Sequence, residues 1–202
     1  MRKLLCSLIF IVSIFFSSTL YALIDYAPLV GYAKGSHEQK VGDSTVKGTY
    51  TDMFAGMELT TSIVGIILGV RGQIATGQYT RDALAPKSSI DTNQSATEIN
   101  ALLGYAFLGL PLRIWGAYTL ERKMDVKNLG VFGATGFKFG LGFNVGPKFR
   151  INAEYGLQTY KVFKSVDVNE RWEMPYTYIN QTFKEKTSSV ISVFISFPST
   201  LI

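Results

Sequence analysis

The sequence predicts an all-β fold, an eight-stranded antiparallel up-and-down transmembrane β-barrel. Apolar and polar residues alternate strictly over residues 149–160, and this period of two predicts a strand because successive side chains point to opposite faces. The polar face of this strand carries Arg150, Asn152, Glu154 and Gln158. A membrane barrel turns its apolar face to lipid and keeps such a polar face inside, whereas a soluble barrel does the reverse. Eight such segments follow one another, and short and longer connections alternate between them.

The first three strands are predicted over residues 24–32, 50–60 and 63–79. In each, one face is apolar and the other holds small, polar and charged residues. These include Asp25, Ala27 and Gly31 in the first strand, Asp52, Gly56 and Glu58 in the second, and Gly65, Gly69, Arg71 and Gln73 in the third. Residues 36–48 are polar and rich in small side chains, which predicts a loop. Residues 60–62 (Thr-Thr-Ser) predict a tight turn between the second and third strands.

The next three strands are predicted over residues 96–106, 112–123 and 129–143. Their polar faces hold Glu98, Asn100 and Gly104, then Arg113, Trp115, Thr119 and Glu121, then Ala134, Gly136, Lys138, Gly140 and Gly142. Pro111 precedes the fifth strand, where a residue without a backbone N–H is tolerated. Residues 80–95 and 124–128 are predicted as loops, and residues 107–110 as a turn.

The last two strands are predicted over residues 149–160 and 185–197, with a turn at residues 144–147 before the seventh. In the final strand one face carries Ile191, Val193, Ile195 and Phe197, and the other includes Ser188, Ser192 and Ser196. Residues 163–184 form the longest predicted connection. Eight strands leave an interior that side chains just fill, and closure removes the unpaired strand edges that lipid cannot solvate.

A cleaved secretory signal peptide is predicted over residues 1–22, which leaves residues 23–202 as the barrel domain. Arg2 and Lys3 form its positive start, residues 4–16 its apolar stretch, and Ala22 its cleavage position. The single cysteine, Cys6, lies inside this segment. The mature chain therefore has no cysteine for a disulfide, a thiolate nucleophile or a metal site. Its 18 basic and 15 acidic residues give a charge too small to indicate a nucleic-acid partner.

Aromatic residues near the predicted strand ends suggest two girdles at the membrane interfaces. We expect one girdle at the turn ends, formed by Tyr105, Phe107, Phe143, Phe149 and Phe197. We expect the other at the loop ends, formed by Tyr32, Tyr50, Tyr79 and Tyr160. Four residues are expected to face lipid between them: Phe137, Ile151, Leu157 and Ile191.

With these features the chain resembles the small eight-stranded outer-membrane barrels, the class of OmpX, the OmpA transmembrane domain and the opacity-type proteins. The signal segment, the eight alternating segments and the final strand over residues 188–197 carry the resemblance. It implies an integral location in the bacterial outer membrane, contact with membrane lipid, and delivery by periplasmic chaperones to the barrel-assembly machinery. In this class the last strand ends in an aromatic residue, whereas here Phe197 is followed by five more residues.

The charged residues of the inward faces are expected to form an interior network, because a buried unpaired charge is costly. The members of this network are predicted to be Asp52, Arg71, Glu98, Arg113, Glu121, Lys138, Arg150 and Glu154. A turn at residues 60–62 would place Asp52 directly opposite Arg71, and the turn at residues 144–147 would place Lys138 opposite Glu154. A network that closes the interior is favoured over a charged pore lining, since eight strands leave little lumen.

The residues outside the network favour surface interaction over catalysis. His37, the only histidine, and Ser36 lie in the first predicted loop, but adjacent residues of an extended segment point apart, so no catalytic site is predicted. No metal site and no cofactor are predicted either. The better candidates for recognition of an unknown surface ligand lie in the longest connection: Arg171, Trp172, Tyr176 and Tyr178. The alternative is that the seventh and eighth strands extend above the membrane as a hairpin, in which these aromatic residues pack on each other or lie at the lipid interface. The sequence thus predicts a monomeric structural or adhesion-type barrel; a narrow pore and a lipid A-modifying enzyme are the alternatives.

Overall fold

The structure, a computed structural model, describes residues 23–83, 89–165, 171–178 and 181–201. Eight long strands form one antiparallel sheet: β1 (Leu23–Val41), β2 (Ser44–Ile63), β3 (Ile66–Arg81), β4 (Ile90–Ala106), β5 (Leu112–Val126), β6 (Gly130–Val145), β7 (Phe149–Ser165) and β10 (Gln181–Ser196). Three short strands accompany them: β8 (Arg171–Glu173), β9 (Tyr176–Tyr178) and β11 (Ser199–Leu201). The predicted signal segment lies outside the described residues.

The eight long strands close into a barrel because β1 pairs with β2 on one side and with β10 on the other. Each of the other long strands pairs with its neighbours in chain order, with β7 next to β10. The predicted fold class is confirmed. Within the described ranges, no helix has the length and apolar character needed to cross a membrane.

Residues 36–48, predicted as a loop, instead complete a β-hairpin. β1 and β2 stay paired up to Val41 and Ser44, and Gly42 adopts a φ of 58° in the two-residue turn between them. The prediction was wrong because the outer face of this segment is polar, so that its composition resembles that of a loop. Its strands extend beyond the apolar part of the barrel, where the outer face meets water.

The turn predicted at residues 60–62 is also misplaced. Ile63 pairs with Ile66, so the turn consists of Val64 and Gly65, both of which have positive φ angles, 49° and 84°. A Cβ atom at Gly65 would lie 2.7 Å from the carbonyl oxygen of Ala106, so glycine is required both by the backbone conformation and by the space. The shift moves every predicted partner across the β2–β3 hairpin.

The outer wall carries a continuous band of exposed apolar side chains. We call the end of the barrel at the β1–β2 turn the loop side. At that end the band is bounded by Tyr32, Met53, Ile74, Ile99, Leu120, Phe137, Leu157 and Ile191. Phe137, Ile151, Leu157 and Ile191 are all exposed on the outer wall, in agreement with their predicted orientation. Phe137, Leu157 and Ile191 lie at the loop-side edge of the band, however, and not at its middle as predicted. A soluble protein rarely exposes so large an apolar surface, whereas a membrane barrel needs one.

Beyond this band, toward the loop side, the two faces of the wall exchange character. The outer face becomes charged, with exposed Lys34, Glu38, Lys40, Lys47, Asp91, Lys123, Asp125 and Lys161. The interior becomes apolar and aromatic, with buried Val41, Val46, Tyr50, Tyr79, Met124, Val126, Phe132, Tyr160, Phe163 and Met174. The protruding part of the barrel therefore has a hydrophobic core of the kind that stabilises proteins in water.

This exchange overturns part of the predicted aromatic girdle. Tyr50, Tyr79 and Tyr160 are at most 1% exposed and fill the interior, whereas Tyr32 is 51% exposed on the outer wall. Spacing along a strand indicates the height of an aromatic residue, but only the parity of the strand decides whether the ring points inward. Tyr50, Tyr79 and Tyr160 occupy positions of their strands whose side chains point inward.

The apolar band yields a direct test of the membrane assignment. Leu141 is 54% exposed midway along the band on β6, so Leu141→Arg should lower the free energy of unfolding in lipid vesicles by about 2–4 kcal/mol. Val131→Arg, on the same strand beyond the band, is the matched control and should cost less than about 1 kcal/mol. Urea unfolding measures both, and equal costs would contradict the assignment.

Candidate functional site

The centre of the interior is the carboxylate of Glu98 on β4. It accepts a hydrogen bond from Arg122 Nη1 at 2.9 Å, another from Gln158 Nε2 at 3.2 Å, and contacts the Lys138 ammonium. Glu98 is 2% exposed. Two cations and two amide donors, including Asn100 Nδ2 at 2.8 Å, therefore compensate this buried charge, as its burial requires.

The other interior acids extend the network along the barrel. Arg122 also binds Asp52 at 3.1 Å. Arg71 binds Glu154 at 2.6 Å and approaches Glu58 to 4.0 Å. These contacts, together with those of Glu98, link side chains from β2, β3, β4, β5, β6 and β7 across the barrel.

The turn-side end of the network is formed by two arginines. Arg113 Nη1 binds Glu58 at 2.6 Å, and its Nη2 donates to Asn152 Oδ1 at 3.1 Å. Arg150 is the less buried member: its Nε donates to Asn144 Oδ1 at 2.6 Å, and its Nη1 lies 3.9 Å from Glu58. Guanidinium groups also cover aromatic rings here, as with Arg113, which lies 4.4 Å from the ring centre of Trp115.

The predicted interior position of Glu121 is wrong. A β-bulge at Leu120 and Glu121 leaves both residues exposed and reverses the parity of β5 beyond it. Glu121 binds Lys123 on the outer wall at 2.9 Å, while Arg122 turns inward and is 3% exposed. Arg122, which sequence reasoning missed, holds both Asp52 and Glu98. A strictly alternating template has no place for the extra residue of a bulge.

The two predicted cross-strand pairs are corrected by the observed register. Arg71 lies opposite Glu58, whereas Asp52 lies opposite Gly77. Lys138 lies opposite Gly156 rather than Glu154, although its ammonium still reaches a Glu154 oxygen at 3.7 Å. The four residues of these two pairs lie on the predicted inward face, but their partners follow the turn positions and the reach of long side chains across the barrel.

The loop side of the interior contains a second unpredicted cation, Lys186 on β10. Its ammonium donates to Tyr79 Oη at 3.0 Å and lies 4.6, 4.4 and 5.2 Å from the ring centres of Tyr79, Phe132 and Tyr160. In the described part of the chain it makes no ion pair. Burial, with Arg81 and Arg122 nearby, lowers the pKa of Lys186 well below its usual value. Three aromatic faces thus take the place of the carboxylates that hold Arg122 and Lys138.

His37 and Ser36 do not form a catalytic pair. His37 is 2% exposed and stacks on Tyr79 inside the barrel, with ring centres 4.8 Å apart. Burial, with the charge of Lys186, lowers the pKa of His37 to about 3. Ser36 points outward and shares a hydrogen bond of 3.0 Å with Ser189. Because adjacent residues of a strand point to opposite faces, the His37 imidazole and the Ser36 hydroxyl lie on opposite sides of the wall.

The recognition candidates of the longest connection are divided by the structure. Trp172 and Tyr176 are half-buried and stack on each other, with ring centres 5.3 Å apart. Trp172 stacks further on Phe163, and Tyr176 on Phe183. Arg171 is exposed. Tyr178 pairs with Gln181 through its backbone. The two stacked rings therefore anchor β8 and β9 to the barrel.

The described ranges contain no group of three or more histidine, aspartate or glutamate side chains placed to hold a metal ion. The interior acids instead have arginine and lysine partners. The arrangement can neutralise charge inside the barrel and rigidify it.

Comparison with known proteins relates the chain to outer-membrane barrels by structure. OprG from Pseudomonas aeruginosa matches with a TM-score of 0.50 and 10% identity, over 89% of this chain and 98% of its own. Neisserial surface protein A matches with a TM-score of 0.47 and 14% identity, over 86% and 96%. Ail of Yersinia pestis matches with 0.45 and 12%, over 87% and 98%. No family model matches the chain, and no curated relative was found.

At these identities the likeness to OprG concerns the fold alone. The fold of this chain is that of the outer-membrane β-barrels, as the resemblance noted in the sequence implies. The apolar band is the surface that such a barrel presents to lipid.

The contrast between Glu98 and Lys186 is testable. Glu98→Gln leaves Arg122 and Lys138 without their shared carboxylate and should lower the free energy of unfolding by about 3–5 kcal/mol. Lys186→Met nearly keeps the volume, removes a buried amino group that has no acid partner among the described residues, and should leave that free energy unchanged or raised. Urea unfolding in lipid vesicles measures both. A loss for Lys186→Met equal to that for Glu98→Gln would contradict the assignment.

Proposed function

We propose that the chain is an integral outer-membrane barrel with a closed interior, which acts through its protruding strands in surface interaction of the adhesion type. The observation that carries the proposal is the filling of the interior at two levels. The ion-pair network around Glu98 occupies the part surrounded by the apolar band, and the aromatic core around Lys186 occupies the part beyond it. A solute crossing the barrel would have to break both.

The protruding strands support the second half of the proposal. They present a charged outer surface on a rigid, packed core, and ordered surfaces lose less entropy on binding than flexible loops do. A cleft of about 550 Å³ opens among β1, β2 and β10, lined by Glu38, Lys40, Thr45, Pro175, Lys184 and Glu185. Charges of both signs beside threonine hydroxyls can form hydrogen bonds with a polar partner. We propose this cleft, together with Arg171, as the contact region.

The proposal implies partners along the route to the membrane. A barrel of this fold needs periplasmic chaperones and the barrel-assembly machinery, and we propose that it functions as a monomer surrounded by lipid. The two alternatives are a narrow pore and a lipid A-modifying enzyme. The ion pairs and aromatic contacts in the interior argue against the pore, and the opposite orientations of Ser36 and His37 argue against these two residues as a catalytic pair.

The proposal is tested in two arms. Purified barrel in planar bilayers should give no conductance steps under conditions in which a porin conducts; well-defined steps would favour the pore. Cells that display the chain should adhere to a cultured epithelial layer, and Lys40→Glu with Lys184→Glu should weaken adhesion. Lys127→Glu, exposed elsewhere on the loop side, is the control. Adhesion that depends equally on all three lysines, or is absent, would contradict the role of the cleft.

A further inference from the structure

The apolar band contains one wide depression at its loop-side edge. This groove has a volume of about 790 Å³ and crosses the outer wall from β10 over β1 and β2 to β3. Its centre is Ala55, whose neighbours across the strands are Val30 and Ile74. Larger side chains from the surrounding strands form the rim, among them Tyr32, Met53 and Val193. Because Ala55 carries only a methyl group among these longer side chains, the groove has room for an extended hydrocarbon chain.

Two polar residues, Lys34 and Thr51, lie directly beyond the groove. Lys34 follows Tyr32 on the outer face of β1, and its backbone lies between Thr51 of β2 and Ile191 of β10. The Lys34 side chain is exposed. Within the described residues its ammonium makes no ion pair. The apolar groove and this cation are therefore stacked along one line of the wall, and the cation stands at the level where the band ends.

We propose that the groove and Lys34 form a binding site for one phosphate-bearing lipid of the outer leaflet, with an acyl chain in the groove and a headgroup phosphate against the Lys34 ammonium. The inference rests on the membrane placement of the band, which the proposed function includes. Groove and cation recognise different parts of one molecule, since apolar area favours the chain and the ammonium favours the phosphate. The hydroxyl of Thr51, next to Lys34, can donate to the same phosphate.

The outer wall offers matched controls for both parts of the site. A smaller depression of about 380 Å³ lies at Gly116, among Leu103, Ile114 and Phe139. A Cβ atom added at Gly116 meets only the Leu103 carbonyl, at 4.0 Å, so this depression can be filled in a control variant. Lys161, exposed beyond the band on β7, is a second control because it is a cation without a groove below it.

Native mass spectrometry of the purified full barrel, released from micelles that contain diphosphorylated lipid A, tests the proposal. The wild type should retain one lipid. Ala55→Leu should reduce the retained fraction about tenfold, because the added side chain occupies the groove. Lys34→Gln should reduce it for the phosphorylated lipid and leave it unchanged for the same lipid after dephosphorylation. Gly116→Leu and Lys161→Gln should stay within about twofold of the wild type.

Several results would overturn the proposal. Equal losses for the site variants and the control variants would show general adsorption of lipid. Displacement of the lipid by millimolar inorganic phosphate alone would show that the acyl chain of the lipid contributes nothing to binding. A dimer peak that Ala55→Leu abolishes would assign the groove to a second copy. If lipid retention fails while Leu141→Arg still destabilises the barrel, the membrane fold stands and only the lipid site is lost.

Discussion

The structure depends on one constraint: a charge enclosed by a β-barrel must find its partner inside the barrel, because neither lipid nor bulk water can reach it. Asp52, Glu58, Glu98 and Glu154 each have at least one arginine or lysine partner contributed by another strand. Such pairs stabilise little in excess of their desolvation cost, but removal of one member is costly. Because each pair joins residues of different strands, a change of register would move these partners away from one another.

The second organising feature is the exchange of faces along the barrel axis. Within the band, apolar residues face outward, whereas beyond it they face inward and pack around Phe132, Tyr160 and Lys186. The same alternation of strand side chains serves both environments, because a change of solvent reverses which face should be apolar. Rigid protruding strands follow from this exchange, and with them the polar cleft and the anchored aromatic rings.

The sequence predicted the number, direction and apolar face of the strands, because these depend on a local period of two. It did not predict the strand lengths on the loop side, since residues 36–48 are polar on the outer face and resemble a loop. It misplaced Glu121 and missed Arg122, because a bulge at Leu120 and Glu121 changes parity without a local signal. The partners of Arg71 and Lys138 depended on turns and on side chains that cross the barrel, which no pairwise pattern along the chain contains.

Reactivity of a cysteine at the wall of the interior tests the closed barrel most directly. Ser192 on β10 is 6% exposed and lies opposite Glu154 of β7. In a variant without Cys6, Ser192→Cys should not react with a water-soluble thiol reagent while the barrel is folded, and should react fully after unfolding. Ser36→Cys on the outer face should react in both states. Rapid labelling of folded Ser192→Cys would show that water and small solutes enter the interior, and would contradict the account.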